Sequence, residues 1–204
     1  MTKTKRKINM TKINRKKRGT RRTRSCHKGG TILGEGGDGV IIDSLSCGIF
    51  SRETGYVAKI FKKKCIINDA VNNRLAEIDP HNLRFNRYYF PSGDTCKQAM
   101  ETNSDILALK KKGEFKDTIG FQKFLIPMEP NNMTKSQYKH LRYSIEILKM
   151  NGIFHGDLPG NVMIDPNDNL PRIIDWESAS FTKEELKFKM DWTAFLTHFK
   201  TNKP

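Results

Sequence analysis

"FHGDLPGNVMIDPNDNLPRIIDW", residues 154–176, places His155, Asp157, Asn161 and Asp175 within one short segment. Two apolar runs, "NVMI" and "PRIID", flank "DPNDNL", a cluster of residues that favour chain reversal. The segment therefore predicts a β-hairpin that ends on Asp175. A Pro159-Gly160 turn before it joins His155-x-Asp157 to Asn161.

Upstream of this segment, "TKSQYKHLRYSIEILKMNG" has a Thr cap, apolar residues Tyr138, Leu141, Ile145 and Leu148 at helical spacing, and a closing Gly152. Near the start, "TILGEGGDGVII" reads as two strands joined by a glycine-rich loop, and "YVAKIF" as a third strand with Val57 and Lys59 on one face. From Cys65 to Ile78 the apolar residues Ile67, Val71, Leu75 and Ile78 predict a helix that Asp79-Pro80 stops. "RYYF" and "FQKFLIPMEP" are strand-like, residues 97–112 are helical in pattern, and "TKEELKFKMDWTAFLTHFK" predicts one or two helices. The order of elements implies an α+β fold.

Three further features carry chemistry. Gly34-Glu35-Gly36-Gly37-Asp38-Gly39 fits G-x-G-x-x-G, with Ile41 following. Glycines let backbone N–H groups approach phosphates without side-chain obstruction. A strand follows the loop, not a helix, so a Rossmann dinucleotide site is excluded. Lys59 lies in mid-strand downstream of it. Phosphoryl transfer needs one carboxylate to take the proton of an acceptor hydroxyl, and an Asn with a second carboxylate to hold magnesium. Asp157, Asn161 and Asp175 are that set, in that order.

The glycine loop, the strand lysine, "HGDL" with Asn161, and "IIDWE" together resemble the protein-kinase-like superfamily from residue 31 onward. "HGDL" and "IIDWE" look closest to its small-molecule branch, the aminoglycoside phosphotransferases and choline kinases. The compact length and basic leader are similar to kinase-like proteins of large DNA viruses. The resemblance implies a minimal two-lobed fold, with residues 31–128 as N-lobe and 129–204 as C-lobe. It implies ATP and Mg2+ as cofactors, and transfer of the γ-phosphoryl group to a hydroxyl of a protein or small molecule. By the same resemblance Asp157 is the catalytic base, and Lys59 the phosphate contact. Asn161 and Asp175 become metal ligands, while Gly34, Gly36, Gly39 and Ile41 form the nucleotide loop. Residues 124–129 become the hinge that receives adenine, through Met128 and Glu129. Asp191 braces the catalytic loop.

The pattern departs from the family in four places. Three residues separate Asp157 from Asn161 where the kinase template has four. Pro159 stands where serine/threonine kinases have a lysine. The carboxylate partner of Lys59 is either Asp69 or Glu77, and periodicity does not choose between them. Only 29 residues follow Asp175 in this sequence, which implies a truncated helical C-lobe without the usual peptide groove. These departures motivate a second reading, a catalytically weak or inactive kinase-like binding module.

Charge is concentrated at one end. Residues 1–28 carry thirteen Lys or Arg and no acidic residue, leaving 24 basic against 22 acidic residues in the remainder. With so few large apolar side chains, residues 1–30 are expected to be a disordered tail. Its charge suits nucleic acid or an anionic surface. The nearly neutral body argues against a pure nucleic-acid-binding protein. Neither a signal-peptide core nor an apolar run of about 18 residues is present, so an intracellular chain, in host cytoplasm, nucleus or virion, is expected. Cys26, Cys47, Cys65 and Cys96 have no paired spacing, which argues against a zinc site or a disulfide and for a reducing compartment.

Overall fold

The computed structural model of the chain describes residues 32–43, 45, 47–63, 65, 68–91, 94–128 and 133–201. The expected disordered tail lies outside them. The described chain is α+β, with helices packed on antiparallel sheets. None of its helices is long and apolar enough to cross a membrane.

The first sheet has the order β1-β2-β3-β4, from β1 (Ile32–Glu35), β2 (Gly39–Ile42), β3 (Tyr56–Lys62) and β4 (Phe115–Lys123). Neighbouring strands run antiparallel, and Lys59 sits opposite Ile41 on one side and Gly120 on the other. Alternate side chains of β3 face opposite ways. Ala58 and Ile60 enter a cluster with Val40, Ile42, Ile106 and Phe121, whereas Phe61 enters a second cluster built mostly by later elements. Lys59 shares the face of Phe61, so the strand aims it toward the part of the chain that carries residues 154–176.

Helix α1 (Asp69–Ile78) starts later than its apolar spacing predicts, because the Asn68 side chain caps it by accepting the Val71 N–H at 3.1 Å. The Asp79-Pro80 stop also organises the next loop. The Asp79 carboxylate accepts N–H bonds from Leu83, Arg84 and Phe85 at 2.7–2.9 Å. The "RYYF" region makes only single bridges, yet it ties the sheets together: Tyr89 bridges to Phe121 and Phe85 to Ile173. The predicted helix over residues 97–112 is two, α2 (Asp94–Thr102) and α3 (Ser104–Lys111). Asn103 separates them, and its side chain accepts the Ile106 N–H.

The cysteine expectation is corrected here. Cys47, in the β2–β3 connection, and Cys96, in α2, are joined as a disulfide with their Cα atoms 4.9 Å apart. The fold closes a 49-residue separation that no local spacing rule could detect.

The second sheet has the order β5-β7-β8 and contains the expected hairpin. Its strands are β5 (Ile126–Pro127), β7 (Val162–Asp165) and β8 (Leu170–Ile173). Between β5 and β7 come α4 (Lys135–Met150) and β6 (Ile153–Phe154). After β8, β9 (Ser180–Phe181) pairs with β6, and α5 (Glu185–Thr201) closes the described chain. Thr134 and Gln137 cap α4 reciprocally, and Gln137 Nε2 also donates to the Asn169 carbonyl at the hairpin turn. Leu141 and Leu148 of α4 meet Val71, Leu75, Leu158, Trp176 and Phe195 in the second cluster. Site-bearing residues 154–176 are thus backed by packed apolar side chains from α1, α4 and α5.

Candidate functional site

Lys59 is 7% exposed, and all three of its ammonium donors are used. Nζ donates to Asp175 Oδ1 at 2.7 Å, to Glu177 Oε1 at 2.5 Å and to the Tyr88 hydroxyl at 3.0 Å. Tyr88 in turn donates to Glu177 Oε1 at 2.7 Å. Burial by itself would lower the Lys59 pKa, but the Glu177 and Asp175 charges hold it above the ordinary lysine value. Burial likewise raises a carboxylate. Asp175 nevertheless stays below its ordinary value because Glu177 and Lys59 hydrogen-bond it. Glu177 is pushed up to about 7, first by burial and then by its hydrogen bonding with Asp175. Asp175 occupies left-handed backbone space (φ 65°), uncommon for a residue with a Cβ. That single residue turns the chain from β8 into a 3-10 turn, Trp176–Ser178.

The other half of the site is the turn before β7. His155 is buried; its Nδ1 accepts the Asp157 N–H at 3.3 Å, so its Nε2 carries the hydrogen and donates to the Ile174 carbonyl at 2.7 Å. Burial lowers the His155 pKa and keeps the ring neutral. Asp191 Oδ1 accepts the Leu158 N–H at 3.2 Å, so the α5 carboxylate braces this turn from behind. Burial raises the Asp191 pKa.

The shortened spacing closes as a tight turn. Gly160 has φ +84°, and Asn161 N donates to the Leu158 carbonyl. Asn161 Nδ2 then reaches the Asp157 carbonyl at 2.6 Å and Asp157 Oδ2 at 3.1 Å. Ile174 N donates to the Asn161 carbonyl at 3.0 Å, which places Asn161 beside the residue that precedes Asp175. Gly156 is equally constrained. It has φ +84°, and a Cβ there would lie 2.8 Å from the Ser178 carbonyl oxygen. The glycine of "HGD" is thus required by the 3-10 turn that carries Glu177.

A cavity of about 260 Å3 lies between these groups and the glycine hairpin. Gly34, Gly36, Gly39 and Ile41 line one side, and Lys59, Tyr88 and Asp175 line the other. A larger groove of about 550 Å3 between α4 and α5 has charged rims instead, such as the exposed Lys149–Glu185 pair at 2.5 Å. Buried charges collect in the smaller one.

One expectation is corrected. Lys59 pairs with neither Asp69 nor Glu77. Asp69 is exposed in the first turn of α1, and Glu77 is exposed and paired with Arg74 at 2.6 Å. The α1 face that turns inward is Val71, Asn72 and Leu75, which leaves both acids pointing to solvent. Met128 packs against the second apolar cluster and does not line the cavity. Its neighbour Glu129 lies outside the described residues. Phe124 N, in the expected hinge, donates to the Gly55 carbonyl at 2.8 Å. Sequence reasoning missed Tyr88 and Glu177. Glu177 stood two residues past Asp175 in "IIDWE"; Tyr88 carried no signal. Comparison with protein-family models and with curated proteins finds no match to this chain.

Proposed function

We propose that the chain is an ATP- and Mg2+-dependent phosphotransferase of minimal, two-lobed kinase-like fold. It transfers the γ-phosphoryl group to a hydroxyl of a protein or small molecule. The observation that carries this reading is the meeting of Lys59 with Asp175 across 116 residues, beside the paired Asp157 and Asn161 and under the glycine hairpin. A strand lysine buried against carboxylates at the floor of a glycine-lined cavity is costly to assemble and poor at merely stabilising a fold.

In this reading the hairpin backbone between Gly34 and Gly39 receives phosphate oxygens, and Lys59 neutralises their charge. Asp157, exposed at the mouth of the turn, accepts the proton of the acceptor hydroxyl as its oxygen bonds to the γ-phosphorus. The bond from that phosphorus to the bridging oxygen breaks, and the charge leaves with the diphosphate. Neutral His155 and the Asp191 brace keep the Asp157 turn in place. Asn161 and Asp175 offer only oxygen donors for a metal, the hard set that magnesium prefers. Bound there, magnesium would supply charge neutralisation for the phosphates.

One observation favours a second reading, a nucleotide-binding module without catalysis. Every Lys59 donor is already satisfied by protein groups, so phosphate must displace one of them. Calorimetric titration with ATP, with magnesium and with chelator, tests both readings when combined with turnover assays on broad hydroxyl acceptors. Magnesium-dependent binding with turnover is the expected result. Binding without turnover selects the module, and no binding rejects both.

A further inference from the structure

The positioning of Lys59 in the site proposed above involves a residue outside the cavity. We propose that Glu177, supported by Tyr88 and Asn72, is the carboxylate that positions Lys59 for phosphate, in place of any acid on helix α1. This inference rests on the phosphotransferase reading and assigns within it a role to Glu177 and Asn72, which do not line the cavity, and to Tyr88, which does.

Four observations carry it. First, both acids of α1 that precede its end point away from Lys59, as described above. Second, the inward polar residue of α1 is Asn72, which is buried and clamps the Tyr88 backbone from both sides. Asn72 Nδ2 donates to the Tyr88 carbonyl, and Tyr88 N donates to Asn72 Oδ1, each at 3.0 Å. Helix α1 therefore reaches Lys59 indirectly: Asn72 fixes the Tyr88 backbone, and the Tyr88 hydroxyl accepts from Lys59 and donates to Glu177. Third, the two carboxylates on Lys59 differ in freedom. The Asp175 side chain is 31% exposed and lines the cavity, whereas that of Glu177 is 6% exposed and does not. Asp175 can turn to a ligand while Glu177 stays behind and holds the ammonium. Fourth, Glu177 rides on a rigid turn. Its neighbour Trp176 is buried against His155 and Phe85, and its indole N–H donates to the Asn86 carbonyl at 3.3 Å.

Glu177 Oε2 is buried and has no hydrogen-bond partner among the described residues. A buried carboxylate oxygen left so is costly.

The test compares Glu177→Gln, Tyr88→Phe, Asp69→Ala and Glu77→Ala with the wild-type chain in steady-state Mg-ATP turnover. Melting curves confirm that each is folded. Glu177→Gln is expected to lower kcat tenfold or more while KM rises less than threefold, the split for a group acting on the transition state. Glu177→Asp is expected to recover part of the loss, Tyr88→Phe to lose several-fold, and the two α1 variants to stay within twofold. Half-activating magnesium concentration should stay within twofold in Glu177→Gln. An increase of tenfold would make Glu177 a metal ligand and overturn the positioning role. Turnover by the wild type with Glu177→Gln unchanged, or with either α1 variant equally impaired, overturns this inference alone. A wild-type chain that neither binds nor turns over Mg-ATP overturns the phosphotransferase reading and this inference with it. If Glu177→Gln does not fold, Tyr88→Phe decides: an unchanged kcat overturns the role.

Discussion

The two sides of the cavity are built in opposite ways. The segment over residues 154–178 is cross-braced at four points along its length: His155 to Ile174, Leu158 to Asp191, Asn161 to Asp157, Trp176 to Asn86. The glycine hairpin facing it is exposed from Ile32 to Gly37. Its ties are few. Gly36 N donates to the Gly39 carbonyl at 2.9 Å, and Lys62 Nζ reaches the Gly36 carbonyl at 2.8 Å and Glu35 at 3.3 Å. Such a difference is what the proposed transfer reading requires. Groups that handle a proton must be fixed to within a fraction of an ångström, whereas a loop that wraps phosphates must first let the ligand in.

Substitutions that break the contrast should differ sharply in stability cost. Trp176→Ala removes the side chain that joins the 3-10 turn to the core, and should cost about 3–5 kcal/mol in urea denaturation. Gly156→Ala sets a Cβ against the Ser178 carbonyl at a left-handed φ. It should cost about 2 kcal/mol and lower activity with it. By contrast, a Cβ at Gly36 meets no atom within 4 Å. Gly36→Ala should therefore leave stability within about 0.5 kcal/mol and show its effect as weaker nucleotide binding.

A smaller effect separates the site's own charges from its scaffold. Glu177 titrates at about 7 in the folded chain, against an ordinary value of 4.5. Between those values the folded chain holds a proton that the unfolded chain releases, so the group adds stability as pH falls. From pH 8 to pH 5 the wild type should gain on the order of 1 kcal/mol relative to Glu177→Gln. Melting temperatures of both proteins across that range measure it. A wild type whose stability tracks that of the variant over the same range would show that Glu177 is ionised throughout.

What sequence reading could and could not reach follows from range. Asp157, Asn161 and Asp175 were legible because a turn and a hairpin place them locally. The α4 helix was legible because Thr134 and its apolar stripe act within a few residues. The partner of Lys59 was not, because it depends on where two chain segments 118 residues apart meet and on one left-handed residue, Asp175. The Cys47–Cys96 link and the Asn72–Tyr88 clamp are equally long-range. The α1 helix illustrates the limit well. Its apolar face was legible at Val71 and Leu75, while Asn72, also inward, is polar and so adds nothing to an apolar period.

The most direct test of a phosphotransferase centred on Asp157 is the single-turnover rate of Mg-ATP cleavage by the wild type and by Asp157→Asn, at equal nucleotide occupancy. The substitution keeps the size of the side chain and removes its ability to take a proton. We predict a rate lower by about 10²–10⁴-fold with nucleotide affinity within threefold. Equal rates in the two proteins would contradict the account.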